Sequence, residues 1–284
     1  MKLKQTETGQ KHMAQTNSLN KLQNLELSIQ LSLSGLSFCV LNRNFNSVIH
    51  LHAITFEKKL NPLQLLDRLK ALFDTKKELS KDFTKVSVIH DNELSTLVPQ
   101  AFFNEDCLAD YLKFNTKILK SDYITFDTIF TNESVNVYVP YININNFIYD
   151  KFGAFTFKHV STVLIEHILR IEKNSETNKV YINVSQDHFE IVVTENSKLK
   201  LYNTFTYHTK EDFIYYILFT AEQLNLNPET LNLVFLGDII KGDDLYEIAY
   251  KYIRNITFGS RQDAFKFESK PKTNHSNFTL INNL

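Results

Sequence analysis

Glycine is scarce in this chain: six residues in 284, against about 7% in an average protein. Glycine is what lets backbone amides close around a phosphate. Gly9, Gly35, Gly153, Gly237, Gly242 and Gly259 are therefore the few places where such a cradle can form. Cysteine is scarcer still, and Cys39 and Cys107 lack the spacing of a metal knuckle or a redox pair. They are expected to be buried thiols of an intracellular protein. Charge of one sign is missing too. Lys and Arg total 31 against 32 Asp and Glu, for a net charge of -1. That balance argues against a protein built to coat DNA or anionic lipid. No run approaches the roughly 18 uncharged apolar residues of a membrane helix. Lys2 and Lys4 are not followed by a hydrophobic segment. Neither a membrane partner nor a secretory leader is expected, and the cytoplasm is the default location.

What the chain does have is hydrophobic content of 43%, enough for packed cores, and a length that suggests two domains of about 150 residues. Residues 1–24 read as a flexible arm, mildly basic because Lys2, Lys4, Lys11 and Lys21 face only Glu7. Leu25, Leu27, Ile29 and Leu31 then alternate with polar residues as in a half-buried strand. Two more strands follow, at Leu36–Leu41 and Val48–Phe56. Asn61-Pro62 is an N-cap with proline in the first turn, and Leu66, Leu69 and Phe73 mark the face of the helix behind it. Val86–Ile89 is a short apolar strand. The same order returns from Val180. Three strands lead to a capping box at Thr209 and Asp212, a helix with Phe213, Ile214, Ile217 and Leu218 on one face, and the strand Leu231–Leu236.

The copies begin about 155 residues apart, too far for a solenoid repeat of about 20–50 residues. They predict an α/β protein of two lobes, residues 25–150 and 151–262, each a three-stranded meander, then a helix, then a strand. Helices are expected around Glu105–Leu119, Ile144–Tyr149, Ser161–Ile171 and Asp244–Arg254, with strands at Tyr123–Phe130, Val135–Val139 and Ile256–Phe258. Residues 263–284 read as a poorly structured tail. Two unrelated α+β domains are the alternative architecture.

This duplicated order resembles the actin-like ATPase (ribonuclease H-like) fold. The phrases LSIQLSLSGLSFCVL, VNVYVPYININNFIYDKFG and the LGDI around Gly237 are similar to an uncharacterised bacterial family of that fold, a domain of unknown function. The resemblance spans residues 25–262. It implies kinship with pilus-assembly and cell-division relatives of actin, and a gene neighbourhood that often includes a ribosomal RNA methyltransferase. It implies no established activity.

Catalytic members of the actin-like fold carry an aspartate on each of two phosphate hairpins, which hold magnesium. The first hairpin here keeps Ser34 and Gly35 but has no carboxylate. The second, Asn183-Val184-Ser185-Gln186-Asp187-His188, has no glycine, and its one acid, Asp187, serves equally well as a turn cap. The adenosine turn keeps Gly237, followed by Asp238. Ser34, Gly35, Ser185, Asp187, Gly237 and Asp238 are thus the candidates for a degenerate cleft. No catalytic residue and no metal ligand is assigned. ATP with magnesium is the disfavoured cofactor, and enzymatic activity is not the preferred reading.

Other motifs carry less. Gly237 and Gly242 have P-loop spacing, but Asp243-Asp244 stand where Lys-Ser/Thr is needed and would repel phosphate. His50 and His52 share a strand face without an identifiable third metal ligand. Among the 23 Phe and 13 Tyr, Phe213, Tyr216 and Phe219 sit at helical core spacing, with no interleaved basic residues of the kind that mark a nucleic-acid surface. The preferred function is a non-catalytic actin-like scaffold acting through an unknown protein partner. The alternatives are a divergent nucleotide-binding ATPase and an accessory factor near ribosomal RNA modification, for which RNA contact through the basic arm is the disfavoured partner reading.

Overall fold

The computed structural model describes residues 24–284, so the basic arm lies outside the described residues apart from Asn24. Alternation along two strands decides the architecture. In β1 (Leu25–Leu31), Leu25, Leu27, Ile29 and Leu31 face a core built with Leu65, Leu69 and Phe73 of α1 (Pro62–Thr75). Successive strand residues point to opposite faces, so Ser28 and Gln30 face the other way. In β9 (Lys179–Val184), Val180, Ile182 and Val184 pack on Phe213, Ile214 and Ile217 of α5 (Lys210–Gln223). Tyr181 and Asn183 are left on the opposite face. Each lobe therefore covers one sheet face with its own helix and turns the other toward its neighbour.

The first lobe pairs β1 antiparallel to β2 (Gly35–Asn42), β2 antiparallel to β3 (Ser47–Thr55), and β1 parallel to β4 (Lys85–His90). The second repeats this with β9, β10 (His188–Glu195), β11 (Lys198–Thr206) and β12 (Asn232–Gly237). The parallel pairings need crossover helices, and α1 and α5 supply them. Both have complete capping boxes, Asn61 with Gln64 and Thr209 with Asp212. Each sheet also gains a parallel outer strand: β8 (Thr156–His159) on β4, and β13 (Asn255–Phe258) on β12. A third unit inserts between β4 and β8. It contains β5 (Ser95–Pro99), β6 (Thr125–Ile129) and β7 (Ser134–Tyr138) in the order β5-β7-β6, with α2 (Leu108–Leu112) packed on them.

The structure departs from the sequence expectations at three places. The helix expected over Glu105–Leu119 is a 3₁₀ turn, Glu105–Cys107, followed by α2 alone. Asn115 and Thr116 donate backbone N–H groups to the Leu112 carbonyl and end it there. The expected lobe boundary at 150/151 falls inside α3 (Ile142–Phe152), and the first sheet continues through β8 to His159 before α4 (Val160–Ile171). The third departure bears most on function. The tail expected beyond 263 adds β14 (Lys266–Phe267) to β3, then runs between the lobes as α7 (Phe278–Asn282). Phe278 packs with Leu164, Tyr181 and Leu236, while Leu280 and Ile281 pack with Cys39, Leu41 and Val48. A five-residue helix is too short to register as a hydrophobic period, and its order comes from walls that both lobes supply.

Phe278 is 1% exposed. Phe278→Ala should lower stability in urea denaturation by about 3–5 kcal/mol, the usual cost of emptying a buried aromatic site. A freely solvated tail would give no change.

Candidate functional site

The polar faces of β1 and β9 meet across a cleft containing a cavity of about 100 Å³. Ser34, Gly35, Ser185, Gly237 and Asp238 all line it. Asp187 does not. It borders a separate void of about 10 Å³, shared with Lys59, Glu93, Asp91 and His188. The remaining wall of the larger cavity is the C-terminal segment Asn277-Phe278-Thr279-Leu280. Pockets for small-molecule ligands usually span about 300–1,000 Å³, so the space left beside this segment is well short of a nucleotide.

Several backbone donors of the hairpins are already engaged. In the first turn the Ser32 hydroxyl oxygen accepts the N–H groups of Ser34 (3.3 Å) and Gly35 (2.9 Å), and Ser32 N–H donates to the Gly35 carbonyl. Gly35 has a packing reason to be glycine: a Cβ there would lie 2.9 Å from the Ile54 carbonyl oxygen. In the second turn Ser185 N–H donates to the His188 carbonyl, while the Gln186 side-chain amide crosses to the Phe56 carbonyl of the other lobe. Gly237 lies in the left-handed region at φ 78°, where a Cβ would stand 2.2 Å from the Val184 carbonyl oxygen. Its N–H donates to the His275 carbonyl, and Asp238 N–H to that of Val184. Burial holds the Asp238 carboxyl above its ordinary range, with Lys272 and His275 pulling the other way.

The tail is fastened at several points. Arg261 donates to the carbonyls of Thr273 and Ser276, Thr279 donates to Gln30, and Ser28 donates to the Leu280 carbonyl at 2.9 Å. Thus Ser28 and Gln30, on the cleft face of β1, both hydrogen-bond the C-terminal segment, and Gln30 also donates to Asp91.

Beside the cleft lies a buried charge cluster. Asp91 follows β4, and its N–H is held by the Leu31 carbonyl. His188 opens β10 in the other lobe. Its Nε2 is 3.0 Å from Asp91 Oδ1 and 3.4 Å from Glu190 Oε1, and its Nδ1 is 2.8 Å from Asp187 Oδ1. Burial alone would push the imidazole down, but Asp91, Asp187 and Glu190 together hold it well above its ordinary value. Burial would raise Asp91, and His188 and Gln30 reverse this to leave it low. Asp187 is likewise pulled down to about 2 against its burial, by His188, the Ser34 hydroxyl and Lys59. The result is a protonated imidazole among carboxylates from both lobes.

Of the six sequence candidates only Asp187 belongs to this cluster. Sequence pattern alone does not single out Asp91 and Glu190. The available signal was His188 and Glu190, two apart on one strand and therefore on one face. Nothing local pointed to Asp91, which parallel pairing of β1 with β4 brings to the lobe junction. His50 and His52 are half-buried on β3, and His52 packs on Phe38. Among the described residues the group with ligand spacing is Asp91, His188 and Glu190 instead. Asp243, in the rejected P-loop pattern, caps α6 (Asp244–Tyr252) by accepting the Tyr246 N–H.

The model of a family described as "Protein of unknown function (DUF3822)" matches residues 14–256. The chain belongs to that family. A Bacteroides thetaiotaomicron protein with actin-like ATPase fold and unknown function is 24% identical, with a TM-score of 0.75 over 84% of this chain and 92% of that one. A chain of the PilM-PilN type IV pilus biogenesis complex is 11% identical, with a TM-score of 0.62 over 91% of this chain and 97% of that one. No curated protein matches the sequence. The DUF3822 chain thus has the actin-like ATPase fold. No helix among its described residues is long and apolar enough to cross a membrane.

Replacing His188 should expose the cost of the buried carboxylates. His188→Gln leaves Asp91 and Glu190 without their cation and should lose roughly 3–5 kcal/mol in urea denaturation. Adding Asp91→Asn should restore part of that loss, giving a non-zero coupling in a double-mutant cycle.

Proposed function

We propose that this chain is a non-catalytic actin-fold scaffold that acts through protein contacts. The observation that carries this reading is its own C-terminal segment, Asn277–Leu280, standing in the cleft between the two hairpins. Three further features support it. The first hairpin has no carboxylate to hold a metal–phosphate group. The amides of Ser34 and Gly35 are taken up by Ser32. The Gly237 amide is taken up by the tail. What stays open to a partner is surface. Phe102, Phe114, Leu119 and Phe130 stand exposed on the inserted third unit, and exposed apolar groups of this kind suit protein contact. The pilus-biogenesis structure of similar fold is itself a protein complex.

Calorimetric titration of the full chain with ATP and ADP, each with and without magnesium, tests the reading directly. No binding up to millimolar ligand is expected, together with no magnesium-dependent nucleotide hydrolysis. Heat saturating at micromolar ligand would overturn it, because a nucleotide would then have to displace the tail.

A further inference from the structure

Nucleotide chemistry leaves the cluster at the lobe junction unused, and its donor set is that of a transition-metal site. We propose that Asp91, His188 and Glu190 bind one divalent cation of the zinc class, which clamps the two lobes together. One nitrogen and two carboxylate oxygens, all within 4.8 Å of one another, converge from both lobes. Ligands about 2.0–2.2 Å from a tetrahedral zinc stand about 3.4 Å apart. His188 Nε2 is already 3.0 Å from Asp91 Oδ1 and 3.4 Å from Glu190 Oε1.

The surrounding hydrogen bonds aim each ligand. His188 Nδ1–H donates to Asp187 at 2.8 Å, which turns Nε2 toward the other two ligands. Gln30 donates to Asp91 Oδ2 at 3.0 Å, and Asn183 to Glu190 Oε2 at 2.9 Å. In both carboxylates the outer oxygen is thereby occupied and the inner one left for the centre. Glu190 supplies the independent sign of a ligand. Its side chain is 1% exposed, and its Oε1, aimed at His188, has no hydrogen-bond partner. A metal ion that displaces the proton on His188 Nε2 would give this buried oxygen a direct partner in its place.

The void of about 10 Å³ bordered by Asp91, Asp187 and His188 is about the size of one water. Lys59 and Glu93 also border it, whereas Glu190 does not. An imidazole among the donors favours zinc and similar later transition metals over magnesium, which prefers an all-oxygen shell. Asp91 also borders the cleft cavity, but the proposal does not depend on whether that cleft binds anything.

The test uses tag-free, full-length protein stripped with a chelator and titrated with zinc in a calorimeter, and with cobalt(II) followed by visible absorption. Wild type and His50→Ala should each take up one ion per chain and gain thermal stability with zinc. His188→Gln, Asp91→Asn and Glu190→Gln, each confirmed folded by circular dichroism, should bind at least about 100-fold more weakly, and Asn183→Ala about 10-fold more weakly. Should the ligand variants not fold, Asn183→Ala, which leaves every ligand in place, carries the comparison. Absence of saturable zinc and cobalt binding by wild type would overturn the proposal. So would undiminished binding by a folded Glu190→Gln or, with the ligand variants unfolded, by Asn183→Ala.

Discussion

A charge buried between two lobes has to be balanced where it lies, and the junction of this protein is organised by that requirement. His188 comes from the second lobe and Asp91 from the first, so parting the lobes strips the buried Asp91 of its cation while His188 keeps Asp187 and Glu190. Removing two charges from water costs several kcal/mol per ion, repaid only when geometry and flanking hydrogen bonds are good. Here Gln30, Asn183 and Asp187 provide those bonds. The pair therefore sets how the lobes sit more than it adds stability. It lies beside the cleft where the polar faces of β1 and β9 meet.

Into that cleft the chain places its own C-terminus. The segment meets two different requirements. Phe278, Leu280 and Ile281 bury apolar surface from both lobes. Its polar groups, the carbonyls of His275 and Leu280 and the Thr279 hydroxyl, pair with groups that would otherwise be stranded on the inner faces. The cleft is thus completed by the chain's own C-terminal segment, with the glycines kept for close backbone approach. Gly237 is the clearest case, since the Val184 carbonyl oxygen lies where any Cβ would go.

Much of this was legible in the chain. The alternation of Leu25 to Leu31 and of Val180 to Val184, the capping residues at Asn61 and Thr209, and the repeated order of elements point to a duplicated α/β fold from local patterns alone. Where expectation and structure part, the cause is nonlocal. Thr156–His159 is a strand because β4 offers it an edge. The last residues form β14 and α7 because both lobes wall them in. Asp91 and Glu190 become neighbours only when parallel pairing carries one strand end to the other lobe.

The sequence by itself determined which face of each strand is apolar, where the principal helices start, and that the chain contains two copies of one plan. Those properties depend on period and on residues three or four positions apart, so they survive in one dimension. Tertiary structure alone decided what fills the cleft and which charges meet beside it. Both depend on contacts between residues separated by about 100 to 250 positions, such as Asp91 with His188 and Ser28 with Leu280. No local pattern encodes such contacts, because each partner is an ordinary polar residue until the other lobe is in place.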